Sequence, residues 1–369
     1  MSGTKNQRLV LEDHGSYLGM EKGCFVVRDR NKKVERYPLF EQEIGEIVLK
    51  SGNAVSTGAL ASCGFWNIDV LVATQRGRPV AMLRSLDDDS HVETRIAQYE
   101  ATKDGKGIRI AKQLVASKLE GRNSTLRKHG LKTYNIGNSI EKLEFESLKD
   151  AQKKLTSIEG KYDELYFPQI FSLLPEKIRP DKRKKFMAYD GANNLFNLAY
   201  EVLSWKVCRA LTRAKLEPYL GFLHSLQWGK PSLVCDFQEI YRYLIDDFVV
   251  KCSKELTPRD FITKTEVLSR NKRAKRQYLN DAKTKEMMYQ LNDYFESMVR
   301  VPRMKVGERQ TIETLINEEA LLFAKYLRNE RQTWQPRIAL AWDARGPVQQ
   351  RNGPYKAMAD SESGDVRPR

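Results

Sequence analysis

One segment in the middle of the chain is apolar on almost every side, and it restricts the fold more than any other feature. Residues 191–216 read GANNLFNLAYEVLSWKVCRALTRAKL. Apolar residues at helical spacing predict a helix, and a helix without a wide polar face must be surrounded by other elements. We therefore predict a helical bundle with this segment at its centre. The apolar residues are Leu195, Phe196, Leu198, Val202, Leu203, Val207 and Leu211.

The chain before this bundle has a different pattern. Residues 8–84 contain short β-rich runs separated by glycines, which predicts a small β domain. The predicted fold class is therefore α+β: a small N-terminal β-rich domain over residues 1–86, then a larger all-α catalytic domain over residues 87–338. Residues 339–369 are polar with interspersed glycine and proline, and we expect them to form a disordered tail.

The charge of the chain points to an anionic partner. Lysine and arginine number 63 against 48 aspartates and glutamates, a formal net charge of +15. Such an excess favours nucleic acid as the partner, with a basic surface that binds nothing as the alternative. No apolar run approaches the roughly 20 residues of a membrane span, and the N-terminus lacks the apolar region of a signal peptide. We expect a cytoplasmic protein without membrane contact.

The number and spacing of the five cysteines argue against two common roles of this residue, in disulfides and in zinc sites. Their number is odd, and no two of them have the C-x-x-C spacing. A disulfide framework and a zinc site are both disfavoured by this pattern. We expect each cysteine to act as a small buried hydrophobe.

Two acids and a histidine lie close together in the second half of the chain. Asp236 and Glu239 are three residues apart, which places them on one face of a helix, and His224 precedes Asp236 by twelve residues. Acids at this spacing are either solvated or share a cation, and a single histidine is either structural or a ligand. Glu159, in SIEGKYDELYF, is a further candidate if the fold brings it near. Carboxylates with one imidazole suit Mg²⁺ or Mn²⁺.

Three segments resemble motifs of the CRISPR-associated spacer integrase family, whose members insert new spacers into CRISPR arrays. IEGKYDELYF is similar to the family's EG…YF motif, NNLFNLAYEVL to its core-helix motif, and GFLHSLQWGKPSLVCDFQEIYR to its G-x-x-H…D-x-x-E segment. The motifs occur in the family's order, and the resemblance covers residues 8–338. One departure is ANNLFNLAY, in which Asn193 matches the motif but neighbouring positions differ.

The resemblance implies a catalytic site made of Glu159, His224, Asp236 and Glu239. In the family one glutamate, one histidine and one further acid bind the metal, and by motif these are Glu159, His224 and Glu239. Asp236 is the neighbouring acid of the same motif, which either supports the ligands or replaces one. The implied activity is the joining of a DNA 3′-hydroxyl to a target phosphodiester, with Mg²⁺ or Mn²⁺ as the cofactor.

Two kinds of relative share this architecture, and the sequence leaves both open. One is the CRISPR integrase, which works with a small ferredoxin-like partner; the other is the casposase, which integrates the ends of its own mobile element. A helix-turn-helix at the C-terminus would favour a casposase, and residues 342–369 contain no convincing one. The expected partners are double-stranded DNA with 3′-hydroxyl ends, target DNA and a second copy of the chain bound through the β-rich domain, with a higher assembly on DNA.

Two dense basic runs are the predicted DNA-binding segments. Both suit contact with the phosphate backbone, and for either run a solvated helix face is the alternative. Trp205 and Trp228 are expected to pack in the core rather than stack on bases. The basic residues are Arg270, Lys272, Arg273, Lys275 and Arg276 in one run, and Lys182, Arg183, Lys184 and Lys185 in the other.

Two other functions are compatible with the same residues. A non-enzymatic basic DNA-binding scaffold would use the acids structurally, and its DNA binding would survive EDTA, whereas strand joining would not. A plain nuclease would use water instead of a DNA hydroxyl as the attacking group in the same site.

Overall fold

The structure is a computed structural model that describes residues 7–39, 44–75, 77–85, 92–135, 140–185, 188–269, 272–301 and 309–339. A strand-rich N-terminal part precedes a mainly helical part, which confirms the predicted α+β class.

The described residues of the N-terminal part form eight strands and one helix, and the sequence pattern did not predict the helix. The strands are β1 (Gln7–Leu11), β2 (Tyr17–Glu21), β3 (Cys24–Arg28), β4 (Val34–Pro38), β5 (Ile44–Lys50), β6 (Ala54–Val55), β7 (Asp69–Ala73) and β8 (Pro79–Leu83), and helix α1 spans Thr57–Phe65. They form two four-stranded sheets, ordered β1-β5-β7-β8 and β4-β3-β2-β6. Strands β1, β5 and β7 are parallel, and β8 is antiparallel to β7.

A separate apolar core joins the two sheets. It includes Leu9 from β1, Leu18 from β2, Phe25 from β3 and Val70 from β7, with Ala59 of α1 between them. Strand β5 is buried at most positions because a parallel strand inside a sheet is covered on both faces.

The helical part contains seven helices among its described residues. They are α2 (Val92–Ala101), α3 (Gly105–Lys128), α4 (Leu148–Ser172), α5 (Gly191–Arg213), α6 (Ser232–Cys252), α7 (Asp281–Glu296) and α8 (Ile312–Leu327). The predicted apolar helix corresponds to α5, and of its seven marked residues only Leu198 is not fully buried. Helix α6 is enclosed even more completely.

Two hairpins interrupt the helices, and sequence periodicity missed both. Strands β9 (Phe261–Ser269) and β10 (Lys272–Leu279) form an antiparallel pair, and β11 (Met298–Arg300) pairs with β12 (Arg309–Thr311). The first hairpin contains the basic run that we had considered as a possible helix face. It is anchored on α5, because Asn194 Nδ2 donates to the Gln277 carbonyl at 2.8 Å.

A set of ion pairs connects the N-terminal sheet to the helices. Arg209 of α5 donates through Nη1 to Glu46 Oε1 of β5 at 2.7 Å and also contacts Glu313 of α8. Lys206 Nζ lies 2.6 Å from Glu313 Oε2. Burial alone would raise the pKa of Glu313, but Lys206 and Arg209 reverse this effect and lower the pKa to about 2. Glu313 therefore remains a carboxylate at neutral pH.

The two predicted domain boundaries, at residues 86–87 and 338–339, lie within or next to stretches outside the described part of the chain. Residues 86–91 and 340–369 lie outside the described part of the chain, so the predicted tail stays a prediction. Ala339, placed in the tail by sequence, is buried, and its carbonyl accepts a hydrogen bond from Tyr243 Oη at 2.8 Å. None of the described helices is long and apolar enough to cross a membrane.

A glycine sets the distance between α3 and α6. A Cβ on Gly121 of α3 would lie 2.4 Å from Cδ1 of Tyr243 on α6, far closer than van der Waals contact. The ring of Tyr243 is itself buried, and its hydroxyl is held by Ala339. The absence of a side chain at residue 121 therefore permits this helix crossing.

We predict that Gly121→Ala lowers the free energy of unfolding by about 1–3 kcal/mol, because the methyl group overpacks the crossing. The matched control is Gly160→Ala on α4, where a Cβ would meet nothing within 4 Å. That change should stabilise the protein by up to about 1 kcal/mol through helix propensity. Urea unfolding of both variants measures the difference, and equal effects would contradict this view of the crossing.

Candidate active site

A buried lysine joins the two glutamates that the sequence analysis singled out. Lys118 of α3 is 1 % exposed. Its Nζ forms an ion pair with Glu159 of α4 and lies 2.8 Å from Oε2 of Glu239 on α6. Three helices therefore meet at one ammonium group, and Glu159 and Glu239, which are far apart in sequence, lie on either side of it.

A second pair of opposite charges lies one helical turn further along α3 and α4. Arg122 follows Lys118 by one turn, and Asp163 follows Glu159 by one turn, so the two pairs face each other. Arg122 pairs with Asp163, and Lys118 Nζ is also 3.6 Å from Asp163 Oδ1. On α6, Arg242 pairs with Glu239 from the next turn of the same helix.

These cations keep both glutamates ionised. Burial alone would raise the pKa of Glu239, but Arg242, Lys118 and other nearby cations hold it well below its usual value. Burial and the charge of Glu239 oppose ionisation of Glu159, yet Lys118 keeps the pKa of Glu159 below its usual value. Burial, together with the charge of Arg122, lowers the pKa of Lys118.

The two glutamates retain oxygen atoms that could bind a cation. Glu159 Oε2 and Glu239 Oε2 are buried, and neither accepts a hydrogen bond. The contact of Glu239 Oε2 with Lys118 is an ion pair without the alignment of a hydrogen bond. Ionised carboxylates with buried oxygens that accept no hydrogen bond fit a hard divalent ion such as Mg²⁺ or Mn²⁺.

His224 does not join the two glutamates in the structure as it stands. Within the described ranges, no three His, Cys, Asp or Glu side chains are grouped closely enough to hold one metal ion. The predicted ligand set of Glu159, His224 and Glu239 therefore stays a prediction, of which the structure brings together the two glutamates.

Asp236 holds the loop that carries His224. Its buried carboxylate accepts from the backbone N–H groups of Phe222 at 2.5 Å, Leu223 at 3.0 Å and His224 at 2.8 Å. Asp236 Oδ1 also lies 2.7 Å from Nδ1 of the His224 ring. A carboxylate with this many partners has little capacity left for a metal. These contacts favour the supporting role among the two that the motif allowed for Asp236, and they direct His224 Nε2 away from the carboxylate.

Gly221 allows the loop to approach Asp236 this closely. A Cβ at residue 221 would lie 2.7 Å from Asp236 Oδ2 and 2.8 Å from the backbone carbon of Ser232. Ser232, the first residue of α6, accepts from the Gly221 N–H through its hydroxyl at 2.9 Å. The glycine of the G-x-x-H segment is thus explained by packing.

Sequence reasoning missed the cations of this site. Lys118 and Arg122 continue the buried stripe of α3 that begins with Ile110 and Leu114, each residue four positions after the previous one. Charged residues at the apolar positions of a helix are the signal that could have identified them, because long charged side chains are rarely buried without a partner.

The run at residues 182–185 lies beside the carboxylates, and its members differ in accessibility. Lys182 and Lys185 are exposed, and Lys185 Nζ lies 3.7 Å from Asp163 Oδ2. Arg183 is turned inward and donates to Asn193 Oδ1 at 3.0 Å and Asn197 Oδ1 at 2.7 Å. Arg183 therefore organises the segment, and the accessible lysines around it are the stronger candidates for phosphate contact.

The second basic run meets the first at one aromatic ring. Lys184 Nζ and Arg276 Cζ lie 5.9 and 5.8 Å from the centroid of Tyr189. Arg276 also pairs with Glu266 across the hairpin at 2.9 Å, so its charge is partly compensated. Arg273 and Lys275 are exposed on β10.

The two remaining residues of this run lie, in the sequence, between β9 and the described side chains of β10. Arg270 lies outside the described residues, and for Lys272 only the backbone is described. Their roles stay predictions.

The chain matches one protein family over most of its length. The family described as CRISPR associated protein Cas1 matches residues 9–284. A CRISPR-associated endonuclease Cas1 from Francisella tularensis subsp. novicida is 30% identical over 267 residues, which cover 69% of this chain and 82% of the relative.

Solved structures share the fold at lower sequence identity. A casposase bound to integration product has a TM-score of 0.66 and 18% identity, and the match covers 89% of this chain and 92% of the casposase chain. A chain of a partial Cas6-RT-Cas1–Cas2 complex has a TM-score of 0.64 and 18% identity, with 90% and 98% covered.

We predict that Lys118→Met lowers the free energy of unfolding by about 3–5 kcal/mol in EDTA, because it leaves two buried carboxylates without their shared cation. Urea unfolding measures the loss. The matched control is Lys112→Met on the same helix, whose Nζ donates to the Glu141 carbonyl at 3.1 Å. The control should lose about 1 kcal/mol or less. Similar losses in both variants would contradict the central position of Lys118.

Proposed function

Because the chain belongs to the family of CRISPR-associated protein Cas1, we propose that it is a metal-dependent DNA integrase and endonuclease that inserts CRISPR spacers. It would join the 3′-hydroxyl ends of double-stranded DNA to target DNA by transesterification. The observation that supports this most directly is the meeting of Glu159 and Glu239, both ionised and buried, at one cation. Two buried carboxylates repel each other, and groups of ionisable residues with shifted pKa values cluster at functional sites.

The proposed cofactor is Mg²⁺ or Mn²⁺, held by Glu159, Glu239 and His224. When bound, such an ion would polarise the target phosphodiester and lower the pKa of an attacking hydroxyl. Lys118, whose ammonium group pairs with both glutamates, would contribute positive charge beside the carboxylates that hold the ion. The side chain of Lys118 is fixed by packing, so it adds positive charge to the site with little loss of conformational entropy.

Asp236 acts as a positioning residue in this proposal. Its contacts with Nδ1 and with three backbone N–H groups fix the orientation of the His224 ring. A histidine ligand whose second nitrogen donates to a carboxylate is a common arrangement in metal sites, because it fixes the tautomer and raises ligand basicity. Nε2 of His224 would then be the nitrogen that remains for the ion.

The two basic runs form the proposed path of the DNA backbone. Arg276 of the hairpin meets Lys184 at the ring of Tyr189, and Lys185 lies beside Asp163, which is next to the two glutamates. Arg273 and Lys275 are exposed on the same strand as Arg276. Contacts of this kind position a duplex without reading its sequence. The path therefore suits an enzyme that accepts DNA fragments of many sequences.

The proposed assembly is a homodimer through the N-terminal sheets, with a higher assembly on DNA that includes a small ferredoxin-like partner. One solved structure of this fold is described as a complex that contains Cas1 and Cas2. The N-terminal part has its own small core, and β4 and β8 stand at the ends of its sheets as the structure describes them, where a strand edge can pair with another chain.

Integration of a mobile element's own ends, as by a casposase, is the second candidate. The likeness to a casposase bound to integration product favours it, since the fold and most of the chain length are shared. The two candidates differ in which DNA ends are used. Equal joining of unrelated duplexes supports spacer integration, whereas preference for one terminal sequence supports the casposase function. A CRISPR array or terminal inverted repeats beside the gene would agree with one or the other.

We predict that His224→Ala abolishes the joining of a 3′-hydroxyl duplex to supercoiled plasmid, because a ligand of the proposed ion is lost. Asp236→Asn should reduce joining by about 10–100-fold and raise the Mn²⁺ concentration needed for half-maximal rate, because the ring loses its orienting acceptor. Gel analysis of joined products across a Mn²⁺ series measures both effects. EDTA should stop joining but leave duplex binding in place.

The control for both variants is Lys32→Ala, on the turn that precedes β4 in the N-terminal part, which should join DNA like the wild type. Normal joining by His224→Ala, or joining that survives EDTA, would contradict the proposed metal site. Duplex binding with no joining in the wild type would instead support the non-enzymatic scaffold.

We predict that Arg273→Ala with Lys275→Ala makes the slope of log affinity against log salt shallower by about 2, since each phosphate contact contributes roughly −0.9. Duplexes of unrelated sequence should be weakened equally. The matched control, Lys32→Ala with Lys103→Ala, removes two exposed charges elsewhere and should leave the slope unchanged. Fluorescence anisotropy across a salt series gives the slopes. Equal slopes in the wild type, the double variant and the control would show that the DNA backbone contacts other residues.

A further inference from the structure

Asp246 is a fully buried carboxylate to which the proposed function gives no role. It follows Glu239 by seven residues on α6, which places both on one face of the helix, two turns apart. Its carboxylate accepts hydrogen bonds from the Tyr166 hydroxyl of α4 at 2.8 Å and from the Tyr200 hydroxyl of α5. Helices α4, α5 and α6 therefore meet at this one acid, two helical turns from the candidate active site.

Both tyrosines are held as hydrogen-bond donors to this acid. Burial raises the pKa of each hydroxyl, and the charge of Asp246 raises it further, so both remain protonated at neutral pH. Burial also raises the pKa of Asp246, while Arg122 and the two tyrosine hydroxyls oppose that rise. Because hydrogen bonds are directional, two of them on one carboxylate fix the position of both rings.

Each of these tyrosine rings carries a guanidinium group on its face. Arg122 Cζ lies 4.6 Å from the centroid of the Tyr166 ring, and Arg242 Cζ lies 4.8 Å from the centroid of the Tyr200 ring. Nε of both arginines is buried and donates no hydrogen bond to the described residues. The face of an aromatic ring attracts a cation at such distances, so the rings help to hold both guanidinium groups.

The same two arginines contact acids of the candidate active site. Nη1 of Arg242 pairs with Oε1 of Glu239, and Nη1 of Arg122 pairs with Oδ1 of Asp163. Because Arg242 holds one oxygen of Glu239, the oxygen that accepts no hydrogen bond is the other one, Oε2. The orientation of this carboxylate therefore depends on the position of the Arg242 guanidinium, and that position depends on the ring of Tyr200.

We propose that Asp246 is a positioning residue of the metal site, which acts through the Tyr200 ring and Arg242 on the carboxylate of Glu239. This inference rests on the proposed function, because it gives Asp246 a role in the affinity for Mg²⁺ or Mn²⁺. Groups that orient a metal ligand affect metal binding because they fix the direction of the ligand before the ion binds. Asp246 itself binds no ion in this proposal, since each of its oxygens already accepts from a tyrosine.

Packing alone would favour an apolar residue at position 246. The neighbouring residues Leu244, Ile245 and Phe248 are apolar and buried, and a carboxylate among them must offset the free-energy cost of leaving water. Replacement of buried charged groups by well-packed apolar residues is often neutral or stabilising. The connection from Asp246 to a proposed metal ligand is the feature that packing does not explain.

The test measures Mn²⁺ binding by electron paramagnetic resonance of the free ion, for the full chain bound to a 3′-hydroxyl duplex, with the duplex alone as the blank. Asp246→Asn should weaken Mn²⁺ binding by about 10- to 100-fold, because the amide oxygen accepts from only one tyrosine. Tyr200→Phe keeps the ring but loses its tether, and it should weaken binding in the same direction.

The matched control is Tyr294→Phe on α7. It removes a hydroxyl that donates to the Leu244 carbonyl of α6 at 3.1 Å, so it loses a hydrogen bond to the same helix without touching the network of Asp246. The control should bind Mn²⁺ like the wild type. Equal Mn²⁺ affinity in Asp246→Asn, Tyr200→Phe and the control would overturn the inference.

A double-mutant cycle tests the route through Arg242. Tyr200→Phe should weaken Mn²⁺ binding when Arg242 is present and have no further effect when it is combined with Arg242→Gln. Additive effects of the two changes would contradict this route. Joining of DNA by Asp246→Asn should also recover at high Mn²⁺ concentration, whereas a lower rate with unchanged Mn²⁺ binding would identify a purely structural role.

The outcomes separate this inference from the proposed function. If the wild type binds Mn²⁺ and joins DNA while both variants bind Mn²⁺ like the control, only the role of Asp246 is wrong. If the wild type binds no Mn²⁺ beyond the duplex blank, the proposed metal site is wrong and the inference falls with it. Should Asp246→Asn fail to fold, the result for Tyr200→Phe decides.

Discussion

The arrangement of the helical part depends on one buried ammonium group. Lys118 lies between Glu159 and Glu239, and without it these two carboxylates would repel each other in an environment of low dielectric constant. The three residues belong to three different helices, so their ion pairs also fix how α3, α4 and α6 meet. Gly121, less than one turn from Lys118, lets α3 approach α6 closely enough for the contact with Glu239.

The loop between α5 and α6 is organised by a second carboxylate that serves a different purpose. Asp236 is buried, and its carboxylate is stabilised by backbone N–H groups and by His224. Such bonds are directional, so they determine the orientation of a ring as well as its position. The two carboxylates of the G-x-x-H…D-x-x-E segment have thus acquired different partners. Glu239 faces the cations of neighbouring elements, and Asp236 holds its own loop.

Part of this arrangement could be predicted from sequence, because local patterns carry it. The α+β class followed from β-rich runs before residue 84 and from the apolar segment of α5. The importance of Glu159 and Glu239 followed from motifs, and their proximity required the fold. Lys118 was not predicted, since its role depends on acids 41 residues or more away in sequence. The hairpin of β9 and β10 was missed because β10, with the sequence KRAKRQYL, is rich in lysine and arginine, which obscure alternation of apolar and polar residues.

The exposure of Trp228, which was expected to pack in the core, was also beyond sequence reasoning. Tryptophan is usually well buried, and the signal against burial was the glycine that follows it, which allows a turn at that point. Arg183 is the opposite case, a residue of a basic run that the fold turns inward toward Asn193 and Asn197. In both cases local backbone geometry, rather than residue type, decides which way the side chain points.

The balance of charge at the site has a consequence for the order of binding. Lys118, Arg122 and Arg242 face Glu159, Asp163 and Glu239, and Lys185 also pairs with Asp163, so these paired groups of the described chain carry no excess of negative charge. A divalent ion adds two further positive charges to this group, and a phosphodiester brings negative charge that offsets them. The ion and the DNA should therefore bind with positive cooperativity, and thermodynamic reciprocity requires that each strengthens the other by the same factor. Free protein would hold the metal weakly, and the complete catalytic centre would form only on its substrate.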